Sequence, residues 1–487
     1  MIKNLRHYLS RSLFNPLKII VFSCGIYMLD LYWIKHLLMK FKQRSAKLEG
    51  YYSRAILSYA INRCHASQFA PAVRALDHLN LSSLNLKMLR TTAMLYDISG
   101  GEVKRKECLH EIERLESDAR VMTQVEKLGC KLFGSTFRPI GHAAIIEIFI
   151  KARILGIIPN QRFIICEEEG KFANFAMVKY WQQYCELITA AQTVQKLHEL
   201  LDPCEENLGG VQTCDGSRLN MEQLSTRVQL EWEMSSRDSL LKLSAEHLER
   251  GWEYLHKLGM PKDSWFCGLH VRNTNSPLSD VRNAEIASYR LAIDEVNARG
   301  GWVVRIGANG EEGIEYGGTA NVIDYALRSD KEDWLDIFML AIGRFLIGTG
   351  SGPSAIPISF GKPVLYTNWG PLQNRQWGKY DLLIPKQYWN RVEKRYLSMY
   401  ERMGNDSIGR AQSTVALLSK GVEVHDNSPE IIRDAVIEML VSNPESSDES
   451  IRQKQFRDLC LLKQVYPTRL SAGFISKYPS FFEKTCE

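Results

Sequence analysis

A chain of 487 residues with 45% hydrophobic and 24% charged residues has the composition of folded protein and the length of two or three domains, which excludes a largely disordered chain. Of the net charge of +5, residues 1–47 hold a local +8, nine Lys and Arg against Asp30 alone, so the remainder stands at −3. A basic head on a slightly acidic body argues against a general nucleic-acid binder and points to a localised anionic contact. The eleven cysteines form no C-x-x-C pair or zinc spacing and read as reduced, mostly buried thiols of a cytosolic protein; nothing demands a bridge between Cys204 and Cys214.

Between Leu13 and Phe41 the chain is strongly apolar but is interrupted by Lys18, Asp30 and Lys35. A mid-segment Asp opposes clean membrane insertion, and no small-residue cleavage site follows the run. Basic flanks with Tyr27, Tyr32 and Trp33 among aliphatics suit a helix lying on an anionic cytoplasmic leaflet, ahead of a membrane span or a buried soluble helix. Residues 48–131 carry apolar side chains at three- and four-residue spacing, the period of packed helical hairpins. No chemistry is assigned to them.

At residues 132–258 the pattern becomes strand, Gly-containing turn, helix and strand, with Arg162-Phe-Ile-Ile-Cys166 as the second strand. That is a βαβ unit. His142 begins its helix, where it is either a cap or surface residue or a cleft group that contacts an acceptor and takes its hydroxyl proton. Residues 175–255 read as largely helical, with a loop from Asp202 to Arg218.

Residues 259–440 repeat the alternation more clearly. Strands are expected at Trp265–Arg272, Trp302–Gly307, Asn321–Tyr325 and Phe345–Thr349, with helices at Ile286–Arg299 and Asp333–Arg344 between them. Such alternation predicts a parallel sheet with Arg272, Arg305 and Thr349 at its ligand-binding edge. The turn Gly348-Thr-Gly-Ser-Gly-Pro-Ser-Ala355 offers free amides, and Pro353 is placed to open a helix whose positive end would complete a phosphate cradle. With His270, two guanidiniums at Arg272 and Arg305 and this turn suit a diphosphate. In residues 441–487 and just before, the final helices Ile431–Leu440 and Gln453–Val465 are expected to pack back on the first α/β domain.

The runs Cys267-Gly-Leu-His-Val-Arg272, Arg282-Asn-Ala-Glu-Ile-Ala-Ser-Tyr289, Gly300-Gly-Trp-Val-Val-Arg-Ile-Gly307 and Phe345-Leu-Ile-Gly-Thr-Gly-Ser-Gly352 resemble a bacterial family of glycosyltransferases found with surface-polysaccharide genes. More distantly, the H-x-R element and an Asp thirteen residues before the Thr, here Asp336 and Thr349, resemble the fucosyltransferase clan that uses GDP-fucose. The resemblance spans roughly residues 130–475. It implies an α/β fold of GT-B type, two Rossmann-like domains facing a cleft with an N-terminal α-helical region. It also implies inverting, metal-independent transfer with donor contacts from His270, Arg272, Asp336, Thr349, Ser351 and Ser354, to which the turn adds Gly350 and Gly352. Where many clan members follow H-x-R with another Arg or a Thr-Asp pair, this chain has Asn273-Thr-Asn275, so fucose is not assumed as the donor. Asp280 and Glu285 stand beside His142 as candidate bases.

Gly307-Ala-Asn-Gly-Glu-Glu-Gly313 lacks the spacing of a dinucleotide loop. D-x-D, G-x-S-x-G and Walker sequences are missing, which removes metal-dependent GT-A, common hydrolase and NTPase readings. The expectation is therefore a glycosyltransferase that moves a sugar from a GDP- or UDP-linked donor to a glycan or lipid-linked glycan in surface-polysaccharide synthesis. No metal or cofactor is expected, nor any nucleic-acid partner. The location would be cytoplasmic, held on the inner membrane through the N-terminus. The competing reading is a non-catalytic nucleotide-binding scaffold of a polysaccharide assembly complex.

Overall fold

Continuous apolar runs bounded by turn residues become buried strands, and in this chain they do so in parallel. The computed structural model describes residues 46–65, 69–84, 86–98, 101–118, 129–134, 137–143, 145–198, 210–274, 280–307, 313, 321–374, 378–404, 406–441 and 449–484. The expected membrane-associating segment, residues 1–47, lies almost wholly outside them. Among the described residues no helix is long and apolar enough to cross a membrane.

Chain contacts divide the protein into Met1–Glu113 and Arg114–Glu487. The first unit is helical, with helices Ala46–His65, Phe69–Leu76, Leu86–Ile98 and Glu102–Asp118, the last running past the division. Ala60, Leu76, Leu89, Leu95 and Tyr96 are fully buried among these helices, and the Tyr96 hydroxyl donates to Asp77 at 2.9 Å.

The second unit contains fifteen described strands. Strands β1 (Cys130–Phe133), β2 (Arg162–Cys166) and β3 (Glu186–Ile188) form a three-stranded parallel sheet in that order. A short antiparallel pair, β4 (Val211–Gln212) and β5 (Arg218–Leu219), occupies the segment expected to be a loop. Two-residue strands carry too little periodicity to stand out from a turn-rich sequence.

Seven further strands make a wholly parallel sheet: β6 (Phe266–His270), β7 (Trp302–Arg305), β8 (Val322–Asp324), β9 (Leu346–Gly348), β10 (Val364–Trp369), β11 (Leu382–Pro385) and β15 (Arg469–Leu470). Their order is β15-β11-β10-β9-β6-β7-β8. Strands β12 (Gln387–Asn390), β13 (Arg395–Tyr396) and β14 (Val422–His425) form a small antiparallel sheet. Helices cover the parallel sheets, as parallel pairing requires, and one continuous apolar core runs from Phe133 and Phe149 through Leu269 and Ile347 to Phe474.

The final segment touches both sheets' surroundings. Thr226 donates to the Gln464 carbonyl at 3.1 Å and Tyr466 to Glu233 at 2.7 Å, while β15 adds to the seven-stranded sheet beside β11.

One core carboxyl makes stability pH-dependent. Asp381 is wholly buried, accepts from the amides of Val364 (2.8 Å) and Gly378 (2.7 Å), and is pushed up to about 7 by burial. The folded protein then holds a proton that the unfolded chain releases near pH ~3.9, so the contribution of Asp381 to stability is greatest below that pH and falls by about 1.4 kcal/mol per unit as pH rises toward 7. Urea titrations between those limits should show this slope reduced in Asp381→Asn; an unaltered slope would overturn the assignment.

Candidate active site

From β6 the chain moves outward to β7 and β8, then returns to β9 on the other side of β6. Neighbouring connections therefore depart in opposite directions between β6 and β9, which opens a crevice beyond their carboxyl ends, where open α/β sheets bind ligands. His270 and Gly348 lie opposite each other at the end of this pair. The Thr349 amide donates to the His270 carbonyl at 3.1 Å, and the Arg272 amide donates to Thr349 Oγ1 at 2.9 Å. These bonds bring Arg272 and the Gly-Ser turn to one place.

Arg272 is half-buried and its guanidinium donates to Thr274 Oγ1 at 3.2 Å. A second guanidinium, Arg282, not among the expected donor contacts, reaches the same place from the short turn Asp280–Arg282. Arg282 donates from Nη1 to the Gly350 carbonyl at 3.3 Å. Its stem passes so close that a Cβ on Gly350 would stand 3.3 Å from Arg282 Cδ and 3.5 Å from Trp369. Burial, and then the charge of Arg272, pull the Arg282 pKa down to about 10. No carboxylate pairs with Arg282 among the described residues, and its Nε is buried without a hydrogen-bond partner. Arg272 and Arg282 thus bring two positive charges close enough to repel each other at the ligand edge of the sheet.

Arg305 does not supply the second cation. It is buried, and Nη1 donates to both carboxylate oxygens of Asp324 at 2.9 and 3.0 Å. The cause is register, since Arg305 on β7 and Asp324 on β8 are directly paired.

His270 is also buried, with Nδ1 2.9 Å from the Ile306 carbonyl, and burial pulls its pKa down to about 4. The ring is therefore neutral at physiological pH, the carbonyl assigns the proton to Nδ1, and the buried Nε2 has no partner among the described residues.

The Gly348–Ala355 turn departs from expectation in one respect. Only 3-10 turns follow it, Pro353–Ala355 and Pro357–Phe360. Pro357 lacks the N–H that an α-helix would direct to the Pro353 carbonyl, and its ring would clash there. A helix-end charge thus contributes nothing to the cradle.

Thr349 and Ser354 are both buried and serve the turn itself, with Ser354 Oγ donating to the Thr349 carbonyl at 2.7 Å. Ser351 and Gly352 are half-exposed. Beneath them the Tyr289 hydroxyl meets Thr367 Oγ1 at 2.6 Å, and Thr367 donates to the Gly348 carbonyl at 3.3 Å, tying β10 to β9 below the site.

His142 lies in the short helix Ile140–Ala143. Its neighbour Gly141 abuts the turn so closely that a Cβ would stand 2.7 Å from Gly352 Cα, and a Cβ on Gly352 would meet Ile140 and the Gly141 amide at 2.9 and 3.0 Å. The two Gly-containing turns therefore touch backbone to backbone, which brings the His142 segment to the Gly348–Ala355 turn. Gly141→Ala should cost about 1–3 kcal/mol through forced displacement of one backbone; a thermal midpoint equal to wild type would refute that contact.

Of the other candidates, Asp280 spends both carboxylate oxygens on Thr414, accepting from its amide at 2.8 Å and from its hydroxyl. That bond holds the start of helix Thr414–Leu418, so Asp280 is not placed to act as a base. Glu285 is exposed. Asp336 lies in the first turn of helix Asp333–Ile342 near Asn174 and Tyr325, and burial pushes its carboxyl up to about 6. No group of three or more His, Cys, Asp or Glu among the described residues is arranged to hold a metal ion.

No protein-family model and no curated protein matches the chain. Solved structures similar to it include the dodecameric iron-containing heptosyltransferase TibC in complex with ADP-D-β-D-heptose, at 12% identity and a TM-score of 0.32 over 52% of this chain and 61% of TibC. A glycosyl transferase family 9 protein from Veillonella parvula DSM 2008 is 13% identical, with a TM-score of 0.30 over 50% of this chain and 81% of that one. TibC from enterotoxigenic E. coli H10407 gives 12% identity and a TM-score of 0.28 over 49% and 57%. The chain thus spans about three fifths of the length of TibC. Likeness at this level defines no family.

Proposed function

We propose that residues 114–487 form a glycosyltransferase of the GT-B type, which moves a sugar from a nucleoside-diphosphate donor to a glycan hydroxyl. The observation that supports this best is the meeting of Arg272 and Arg282 over the Gly350 turn at the β6/β9 crevice. As the acceptor oxygen bonds to the anomeric carbon, the carbon–oxygen bond to the diphosphate breaks and its electron pair leaves with the nucleotide. Charge grows on that oxygen, and fixed guanidiniums there stabilise the transition state more than the ground state. The acceptor proton passes to a base, for which His142, carried to the donor-side turn by the Gly141–Gly352 contact, is the candidate.

In this reading no metal takes part, the anomeric centre inverts, and the N-terminal basic segment holds the enzyme on the inner leaflet beside a lipid-linked acceptor. Calorimetry with ADP-, GDP-, UDP- and CMP-sugars, followed by release of free nucleotide with acceptor extracts, tests it. Binding and release that both vanish in Arg272→Ala support the transferase. Tight binding without release favours a nucleotide-holding scaffold, and absence of binding to every donor overturns the proposal.

A further inference from the structure

A cavity of about 630 Å³ lies apart from the residues that form the donor site, among helix Phe175–Tyr180 and the first turns of helices Ala245–Lys257 and Asp333–Ile342. Its size is that of a small-molecule site. The apolar lining comes from Phe175, Ala176, Tyr180, His247 and Trp334, and these rings are held in place. The Tyr180 hydroxyl and His247 Nδ1 are 2.7 Å apart, the His247 ring stacks on Trp334 at 5.1 Å, and Trp334 Nε1 donates to Glu332 at 2.8 Å. His247 and Arg250, one turn apart on the same helix, both lie over the Trp334 ring, and Trp334 itself lines the cavity.

Four carboxylates surround these rings, from Glu169, Glu246, Glu332 and Asp333. Lys179 and Arg250 are the neighbouring cations, and Arg250 is paired with Glu246 at 2.8 Å. An acid-rich rim repels phosphate, so the cavity does not suit a nucleotide. An ammonium ligand is disfavoured as well, because Lys179 already lies over Phe175 at 4.7 Å and Arg250 over Trp334 at 4.4 Å. What remains is a neutral ligand with apolar C–H faces to lie on rings and many hydroxyls to donate to carboxylates. A saccharide has that chemistry.

We propose that this cavity binds a neutral oligosaccharide, the acceptor glycan; its role as acceptor rests on the transferase reading above, whereas its binding of saccharide does not. The test is a printed array of neutral hexose, heptose and deoxyhexose oligosaccharides beside sulfated ones, probed with the full chain and no nucleotide. Wild type should retain at least one neutral glycan. Trp334→Ala should weaken that signal about tenfold or more, Trp334→Phe, which keeps a ring, should stay within about threefold, and Ala176→Trp, which fills the cavity without emptying the core, should abolish it. Arg282→Ala should bind glycan as wild type does. Binding of no neutral glycan, binding of sulfated glycans alone, or wild-type binding by Ala176→Trp overturns the proposal. Glycan binding lost in Ala176→Trp, in a protein that turns over no nucleotide sugar, would keep the saccharide site and remove the transferase reading.

Discussion

Arg282→Ala is expected to lower sugar-nucleotide turnover about 10²–10³-fold, the usual loss on removing one donor aimed at developing charge, while the thermal midpoint stays level or rises. Arg282 is half-buried with its Nε enclosed and no carboxylate beside it among the described residues, and Arg272 repels it. Its contribution to folding is one bond of 3.3 Å to the Gly350 carbonyl and packing of its stem against the turn. A buried, uncompensated cation costs more than one such bond returns, so relief from it can add about 0.5–2 kcal/mol of stability. The same charge becomes favourable once a diphosphate occupies the crevice. Donor titration should therefore stabilise wild type more than Arg282→Ala, and the gap should narrow at high salt. Turnover within a few fold of wild type, or a midpoint several degrees lower, would show that Arg282 props up the loop rather than the ligand.

Much of this arrangement can be read in the chain before any coordinates. Strands Phe266–His270, Trp302–Arg305 and Leu346–Gly348 announce themselves because both faces are buried, so every position is apolar or small until a polar residue ends the run. The Gly300 stop is equally plain, since its φ of 76° belongs to the left-handed region. Other features depend on pairings that the sequence does not record. Asp324 was visible at the end of a short strand, but only the β7/β8 register reveals that it neutralises Arg305.

Arg282 was present in one of the runs that carried the family resemblance, yet its partner, the Gly350 carbonyl, lies 68 residues away. The missing helix after the Gly-Ser turn is a different case. Pro357, four residues after Pro353, carried that information locally, and it outweighs the favourable first-turn position of Pro353. His142 and Gly352 each looked like cleft residues in separate βα turns, while the contact between Gly141 and Gly352 required the fold to bring them together.

The largest expected loss of stability comes from a place where sequence reasoning would draw a solvated helix face. Glu147 and Lys151 are one turn apart in helix Ile146–Ile154 and form a 2.5 Å ion pair, yet their side chains are only 2% and 3% exposed. Ser359 donates to the other oxygen of Glu147 at 2.5 Å, and Lys151 reaches Gln229 at 3.2 Å and lies over the Trp232 ring at 5.2 Å. Gln229 in turn donates to Glu233 at 2.8 Å, which also accepts from Tyr466. Lys151→Met keeps the length of the side chain but strands the Glu147 carboxylate in the core, at a cost of about 3–5 kcal/mol. Glu147→Leu together with Lys151→Met removes both charges and should recover most of that, or exceed wild type, since paired burial gains little over apolar packing. Ser359 sits on the 3-10 turn that follows the Gly350–Ala355 segment and donates to Glu147, so the double variant, which removes that acceptor, should loosen the turn and weaken nucleotide binding slightly, whereas Lys151→Met keeps that bond. Urea midpoints for the two single variants and the double variant check the energetic claim, and a Lys151→Met loss below about 1 kcal/mol would mean that water or a rearranged side chain compensates Glu147.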